Sequence, residues 1–299
     1  MTHTLTTAAA LPVPAAARSV ANSAWWRFRR HKLALLGLAV LMLFGLLALF
    51  AEVVAQRDPN RVDIDQLKAP PSVAHILGTD AAGRDVFARL VYGARVSMLV
   101  GLTAVLLSSV IGTFMGLVSG YAGGWVDNAL MRFTELIQTF PTFFAVILLV
   151  ALIGPNILNV ILVIGVLGWT GLARLVRGQV LALREADYVL AAHAVGVPGS
   201  RILARHILPG VLPYVMVAAT LGLASAILTE AALSFLGLGV RMPTSTWGNM
   251  LNAAQSLPVL EGQPWLWLPP GLALGLTILS VNFVGDGLRD ALDPRMNIR

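Results

Sequence analysis

Apolar residues run along this chain in long unbroken blocks, separated by short breaks marked by glycine, proline or charge. The first block, 33–51, covers 19 residues, about 29 Å as a helix, which matches a bilayer's hydrocarbon core. Further blocks at 96–119, 136–153, 157–173, 211–233 and 266–285 bring the predicted spans to six. Only Gly154-Pro155-Asn156 separates the third from the fourth, so these two form a tight hairpin. The period-two alternation of barrel strands is missing. The fold class expected is all-α: a polytopic membrane protein with six transmembrane helices and a cytoplasmic loop.

Within the blocks, small residues recur at helical spacing. The second carries Ser108, Gly112, Gly116 and Gly120, the fourth Gly165, Gly168 and Gly171, and the sixth Gly271 and Gly275. Such stripes let neighbouring helices approach backbone to backbone, inside one subunit or across a dimer. Pro141 falls in the first turns of the third block and starts or kinks that helix. Ahead of the second block, Val86, Phe87, Leu90, Val91 and Ala94 face one way, with Asp85, Arg89, Tyr92 and Arg95 opposite. That stretch reads as a helix lying in the membrane interface, or as a plain extension of the second span.

With 57% hydrophobic and 12% charged residues, the chain is too apolar for a soluble domain. Its net charge of +6 is read as a topology signal. An N-terminus inside places Arg18, Arg27, Arg29, Arg30, Lys32, Arg132, Arg174, Arg177, Arg184, Arg201, Arg205, Arg289, Arg295 and Arg299 on the cytoplasmic side. The loop at 56–95 opposes this with six cations, interleaved with five aspartates, and Arg241 makes the remaining one. Nucleic acid is a poor partner for charge so scattered. Residues 25–32, Trp-Trp-Arg-Phe-Arg-Arg-His-Lys, form an aromatic and cationic anchor before the first span. Residues 1–24 read as a disordered cytoplasmic N-terminus, and 25–95 as the first span, external loop and interfacial helix. Residues 96–288 are the main transmembrane domain, and 289–299 a cytoplasmic tail. Cysteine is absent, which excludes disulfides, thiolate metal sites and a lipidated cysteine.

One polar, basic island interrupts the membrane pattern. Tyr188, Ala191, Ala192 and Val195 share a helical face from Asp187 onward, and Gly196 with Pro198 ends the helix. A second short basic helix, 200–206, leads through His206 to Leu208-Pro209. Alanines on a contact face admit another backbone closely. This is the surface needed to seat in a partner's cleft and carry force.

Chemistry of other kinds is missing. The two lysines, Lys32 and Lys68, belong to no phosphate-binding loop, and neither a zinc-protease His pair nor a nucleophile elbow is present. Ionisable residues near the blocks (Glu52, Glu135, Glu230, Asp286) lie towards ends, leaving no evident mid-span proton relay. The energy source is expected outside this chain. A self-sufficient secondary transporter or channel is the rival reading, and an intramembrane enzyme a remote third.

Four blocks carry a family resemblance. They are Leu77-Gly-Thr-Asp80 with Gly83-Arg-Asp85 and Tyr92 to Ser97; Asp187-Tyr188 with Ala191-Ala192 through His206-Ile-Leu208-Pro209; Ala232 to Gly239 with Trp247-Gly-Asn-Met250; and Asn282 to Pro294. In this order they resemble the C-type permease subunit of dipeptide and oligopeptide ABC importers, a group that also serves nickel and glutathione uptake. The resemblance implies a heterodimer with a second permease, two cytoplasmic ATPases that bind the ATP and magnesium, and an external solute-binding protein. The chain itself would hold no cofactor, metal or catalytic residue. It would sit as a multi-pass protein in the bacterial inner membrane with both termini cytoplasmic. Asp187, Tyr188, Ala191, Ala192, Gly196, His206, Leu208 and Pro209 would form the ATPase-coupling site. Peptide is the expected solute, with nickel, glutathione or another small solute open. Leu190 stands where the wider superfamily has glutamate, so Glu185 or Asp187 is left to replace that charge. Gly210 likewise stands where asparagine is common.

Overall fold

A computed structural model describes residues 25–292; the expected disorder of 1–24 and most of the C-terminal tail lie outside the described residues. Ten helices carry the argument: α1 (Lys32–Leu49), α2 (Val86–Ala122), α3 (Gly124–Thr139), α4 (Thr142–Ile153), α5 (Ile157–Gly168), α6 (Thr170–Arg184), α7 (Asp187–Ala194), α8 (Leu208–Phe235), α9 (Trp247–Leu251) and α10 (Leu268–Leu292). Five stretches are long and apolar enough to cross a membrane; α5 and α6 together form one of them. The α3–α4 pair, bent by 80°, supplies the sixth if the two count as one span.

The break falls at Pro141, where the sequence placed a kink or helix start in the third span expected over 136–153. Pro141 has no N–H to donate and Phe140 is held extended before it, so helix α3 stops at Thr139 and α4 sets off in a new direction. With 12 residues, α4 reaches only about 18 Å and cannot cross alone.

The bundle is built on α2, about 55 Å long at the helical rise of its 37 residues. Its small-residue stripe meets α6. A Cβ on Gly112 would lie 2.8 Å from the Trp169 carbonyl oxygen, and one on Gly116 would lie 2.6 Å from that of Ala173. The constant offset means that α2 and α6 run parallel with backbones nearly touching. Against α8 the order reverses: Ser97 meets Glu230 while Gly222 approaches Val105. The stripe therefore works within the subunit. Gly171 and Gly275, by contrast, face open space in the single chain. On α1, Gly37 admits the Ser280 carbonyl of α10.

No break separates 86–95 from the second span. Of the two readings left open, the extension is the one observed. The supposed water-facing side is covered: Asp85 and Arg89 are buried, with Arg89 only 2% exposed. Arg89 donates to the Pro59 and Pro243 carbonyls at 3.4 Å and lies 3.5 Å from Asp80, because the loops around it fold over the helix end. The separate helix at 200–206 is also corrected. Residues 199–235 are one continuous helical run, with a π-type turn at Leu203–Ile207. Pro209 cannot donate to the carbonyl one turn earlier, and the wider turn eases the clash of its ring.

Candidate functional site

At the end of the bundle that holds the α2–α3 and α6–α7 connections, α7 forms where the sequence placed it. Asp187 stands in its first turn, complementing the helix dipole. Its end is a glycine cap. Gly196 takes φ +76, and Val197 N–H donates back to the Ala192 carbonyl at 3.1 Å.

The two faces of α7 differ. Tyr188, Ala191 and Val195 are exposed together, and Leu190 is 48% exposed beside them. Val189 and Ala192 point the other way, at 0% and 9% exposure, into a core shared with Leu117, Val176, Val180, Ile202, Ile207 and Val211. Ala192 therefore does not share the exposed face with Tyr188 and Ala191, as the spacing had suggested. Four residues do not span a full exposed arc once one side of a short helix is packed. Of the remaining candidates, Leu208 packs on the same core, His206 is half-buried in the π-type turn, and Pro209 is exposed at the start of α8. The structure thus joins Ala192 and Leu208 through the core, while Asp187, Tyr188, Ala191 and Gly196 remain at the surface. Glu185 pairs with Arg184 at 3.0 Å, whereas Asp187 stays exposed.

Val189 holds this segment to the bundle. Withdrawing such a side chain from its core costs about 2 kcal/mol, which anchors α7 on α2, α6 and α8. Tyr121, at the end of α2, stacks on His193 with ring centroids 6.3 Å apart and approaches its Nε2 at 3.4 Å.

A second polar cluster lies near the opposite end. Glu230 is fully buried, accepting from Ser234 at 2.7 Å and from Ser97 at 3.1 Å. The segment at 243–250, between α8 and α10, packs against the bundle. Trp247 is fully buried, its indole N–H donates to the Leu90 carbonyl at 3.1 Å, and Phe44 meets its ring edge-on at 5.4 Å. Ser245 adds a bond to the Arg89 carbonyl. Two of the sequence blocks that were far apart in the chain, one ending at Ser97 and one containing Trp247, therefore meet around Glu230 as one structure. A lone acid near the end of an apolar run was the only sequence signal for it.

A third cluster was not anticipated. Asp127, in the first turn of α3, is 8% exposed and receives both arms of the Arg177 guanidinium at 2.6 Å each, together with the Ser119 hydroxyl. An aspartate at a Gly-Gly break, 50 residues from its arginine, carries no local pattern that would pair them.

Comparison with known proteins identifies a family. Residues 108–298 match the model of the family described as binding-protein-dependent transport system inner membrane component. Residues 19–71 match that of the N-terminal TM domain of oligopeptide transport permease C. The chain is 43% identical over 286 residues to a putative peptide permease protein of Brucella suis, covering 96% of this chain and 94% of that one. It is 41% identical to the oligopeptide transport system permease protein of Bacillus subtilis, over 93% and 90% of the two chains. With the Haemophilus influenzae protein of the same description, identity is 44% over 93% and 89%.

Proposed function

The chain belongs to the family of binding-protein-dependent transport system inner membrane components, the membrane subunits of ABC importers, and we propose that its solutes are di- and oligopeptides. The names of its relatives support this reading, as does the length over which they match. In this reading the chain pairs with a second permease, and the two together enclose the translocation path. Two ATPases dock from the cytoplasm and bind the ATP and magnesium. An external binding protein delivers the peptide.

The observation that carries the mechanism is the two-sidedness of α7. Its exposed face, Tyr188, Leu190, Ala191 and Val195, is small or apolar and free for a partner's cleft. Its other face is keyed into the core where α2, α6 and α8 converge. A force applied by a closing ATPase pair is therefore delivered to three membrane helices at once. Alternating access follows if ATP binding favours one of the two arrangements of these helices over the other. Leu190 in place of an acid makes the docking face more apolar, leaving Asp187 as its exposed carboxylate.

Orientation in the membrane follows from the same assignment. The α6–α7 connection faces the cytoplasm, both termini lie there, and the folded 56–85 and 236–267 segments meet the binding protein outside.

The test is reconstitution in liposomes. The chain alone, under a pH or voltage gradient, is expected to import nothing. Uptake of labelled trialanine is expected once the second permease, the ATPases, the binding protein and internal ATP are all present. Gradient-driven uptake by the lone chain would establish a secondary transporter instead. Uptake of glutathione or nickel with none of peptide would reassign the solute while keeping the machinery.

A further inference from the structure

We propose that Asp127 and Arg177 form a clamp that carries movement of the α7 segment into the bent α3–α4 limb. The proposal rests on the ATPase-docking role of α7 and extends it to a pair of positioning residues.

The limb needs such a connection. Its covalent link to α2 is Gly123-Gly124, both at positive φ (+64 and +54), with open space around a Cβ on Gly124. Two glycines in that conformation make a pivot that resists little bending. Beyond it, much of α3 is uncovered: Trp125, Leu136 and Phe140 are exposed at 63% or more. The far end breaks by 80° before α4. A limb hinged at one end and bent at the other follows the bundle only where it is fastened.

The fastening lies on α6. Arg177 grips Asp127 through Nε and Nη2, one bond to each carboxylate oxygen, both 2.6 Å. A two-point, planar contact fixes orientation as well as distance, which a lysine cannot do. Ser119 of α2 donates to the same carboxylate, so three helices meet at one side chain. Two turns further along α3, Phe133 stacks on Trp169 with centroids 6.2 Å apart and planes 24° from parallel. The pairing of 127 with 177 and 133 with 169 sets α3 antiparallel to α6. Thr134 is fully buried on the same side.

The clamp is also tied to the docking segment. Ser119 and Tyr121 lie two residues apart at the end of α2: one holds Asp127, the other stacks on His193 of α7. At the end of α6, Arg184 closes the opposite side by donating to the Gly120 carbonyl at 3.3 Å, three residues before α7 begins at Asp187. Push on α7 thus reaches α3 through two short routes that share Asp127. A partly buried ion pair such as this one, with Arg177 34% exposed, adds little stability, since desolvation and solvent screening offset its attraction, but its two-point geometry fixes register between the elements it joins. The α4 half of the limb shares its core with α2, α5 and α8 through Val146 and Val150, so movement of α3 reaches the middle of the bundle.

The experiment uses the whole transporter in nanodiscs, made with this chain, which contains no cysteine. Spin labels go on Asn128→Cys in α3 and Leu175→Cys in α6, both exposed. The expected result is a single narrow distance, the same without nucleotide and with ADP and vanadate. In Asp127→Asn the distribution should broaden, and ATP hydrolysed per trialanine imported should rise about tenfold. Arg177→Lys should do the same in smaller measure, and serves in place of Asp127→Asn if that variant does not accumulate. Exchanging the pair, Asp127→Arg with Arg177→Asp, should recover part of the narrow distance. A distance that changes with nucleotide in the unaltered pair, or an unchanged distance and coupling ratio in Asp127→Asn, would overturn the clamp. Failure of the docking role is separate: it would be seen as ATPases that still associate normally with Ala191→Glu, and it leaves the distance measurement standing.

Discussion

Ser97 on α2 and Trp247 at the start of α9 meet at a single hydroxyl. Ser97 Oγ accepts the Trp247 backbone N–H at 3.2 Å and donates to Glu230 Oε2 at 3.1 Å. One serine thereby closes a re-entrant segment onto a buried carboxyl. Trp247, the largest fully buried side chain among the described residues, rests on that bond and on the edge-on contact with Phe44.

Removing the carboxyl should loosen that end of the bundle. Glu230→Ala leaves the Ser97 and Ser234 hydroxyls without their acceptor, a loss of about 1–3 kcal/mol. Glu230→Gln keeps an acceptor oxygen and should lose less. Thermal unfolding followed by size-exclusion in detergent checks the order. Equal midpoints for Glu230→Ala and the unaltered protein would show that the network contributes nothing.

The glycine stripe makes a graded prediction. Gly116→Ala drives a methyl to within 2.6 Å of the Ala173 carbonyl and the Val176 Cβ, neither of which can yield without parting α2 from α6. A cost of about 1–3 kcal/mol is expected for such overpacking. Gly275→Ala meets nothing within 4 Å, and in the isolated chain it should gain about 0.5–1 kcal/mol from the helix interior. The two variants should therefore shift the unfolding midpoint in opposite directions.

Two neighbouring alanines of α7 should behave differently. Ala192→Asp places a carboxylate in the chain's own core, and should lower stability by about 2–4 kcal/mol whether or not ATPases are present. Ala191→Glu alters only an exposed position, so it should leave the unfolding midpoint in place while reducing co-purification of the ATPases. The same loss of stability in both would mean that α7 has no free face.

Orientation is accessible by labelling. Val73→Cys, fully exposed between α1 and α2, should react with an impermeant thiol reagent on intact cells. Ser200→Cys, exposed after α7, should react only once the membrane is opened. With no native cysteine there is no background. The reverse pattern would invert the topology.

What the sequence determined by itself is everything that depends on short range or on solvent. Runs of some twenty apolar residues can satisfy their backbone only as helices in lipid, so five of the six span positions fell inside the helices observed to within two residues. The end of α7 at Gly196 was legible because only glycine enters that conformation cheaply. The tight glycine stripe on α2 was legible too, since it packs one straight helix on another. The family itself could be read from blocks whose order survives in the linear chain.

The tertiary structure decided which polar groups left water. Spacing marked Ala192 as a contact residue, but only the arrival of Val176 and Ile207 beneath it turned it inward. Arg89 has the pattern of an interfacial residue and became buried because loops 30 and 154 positions away closed over it. The sharp turn at Pro141 could be foreseen as a kink, though its 80° angle could not, because a proline removes a bond without saying where the chain goes next. Asp127 found Arg177 only once α2 had brought α3 and α6 together. A charge buried in a membrane protein is stable when paired, and pairing is a property of folded neighbours, not of the residues on either side.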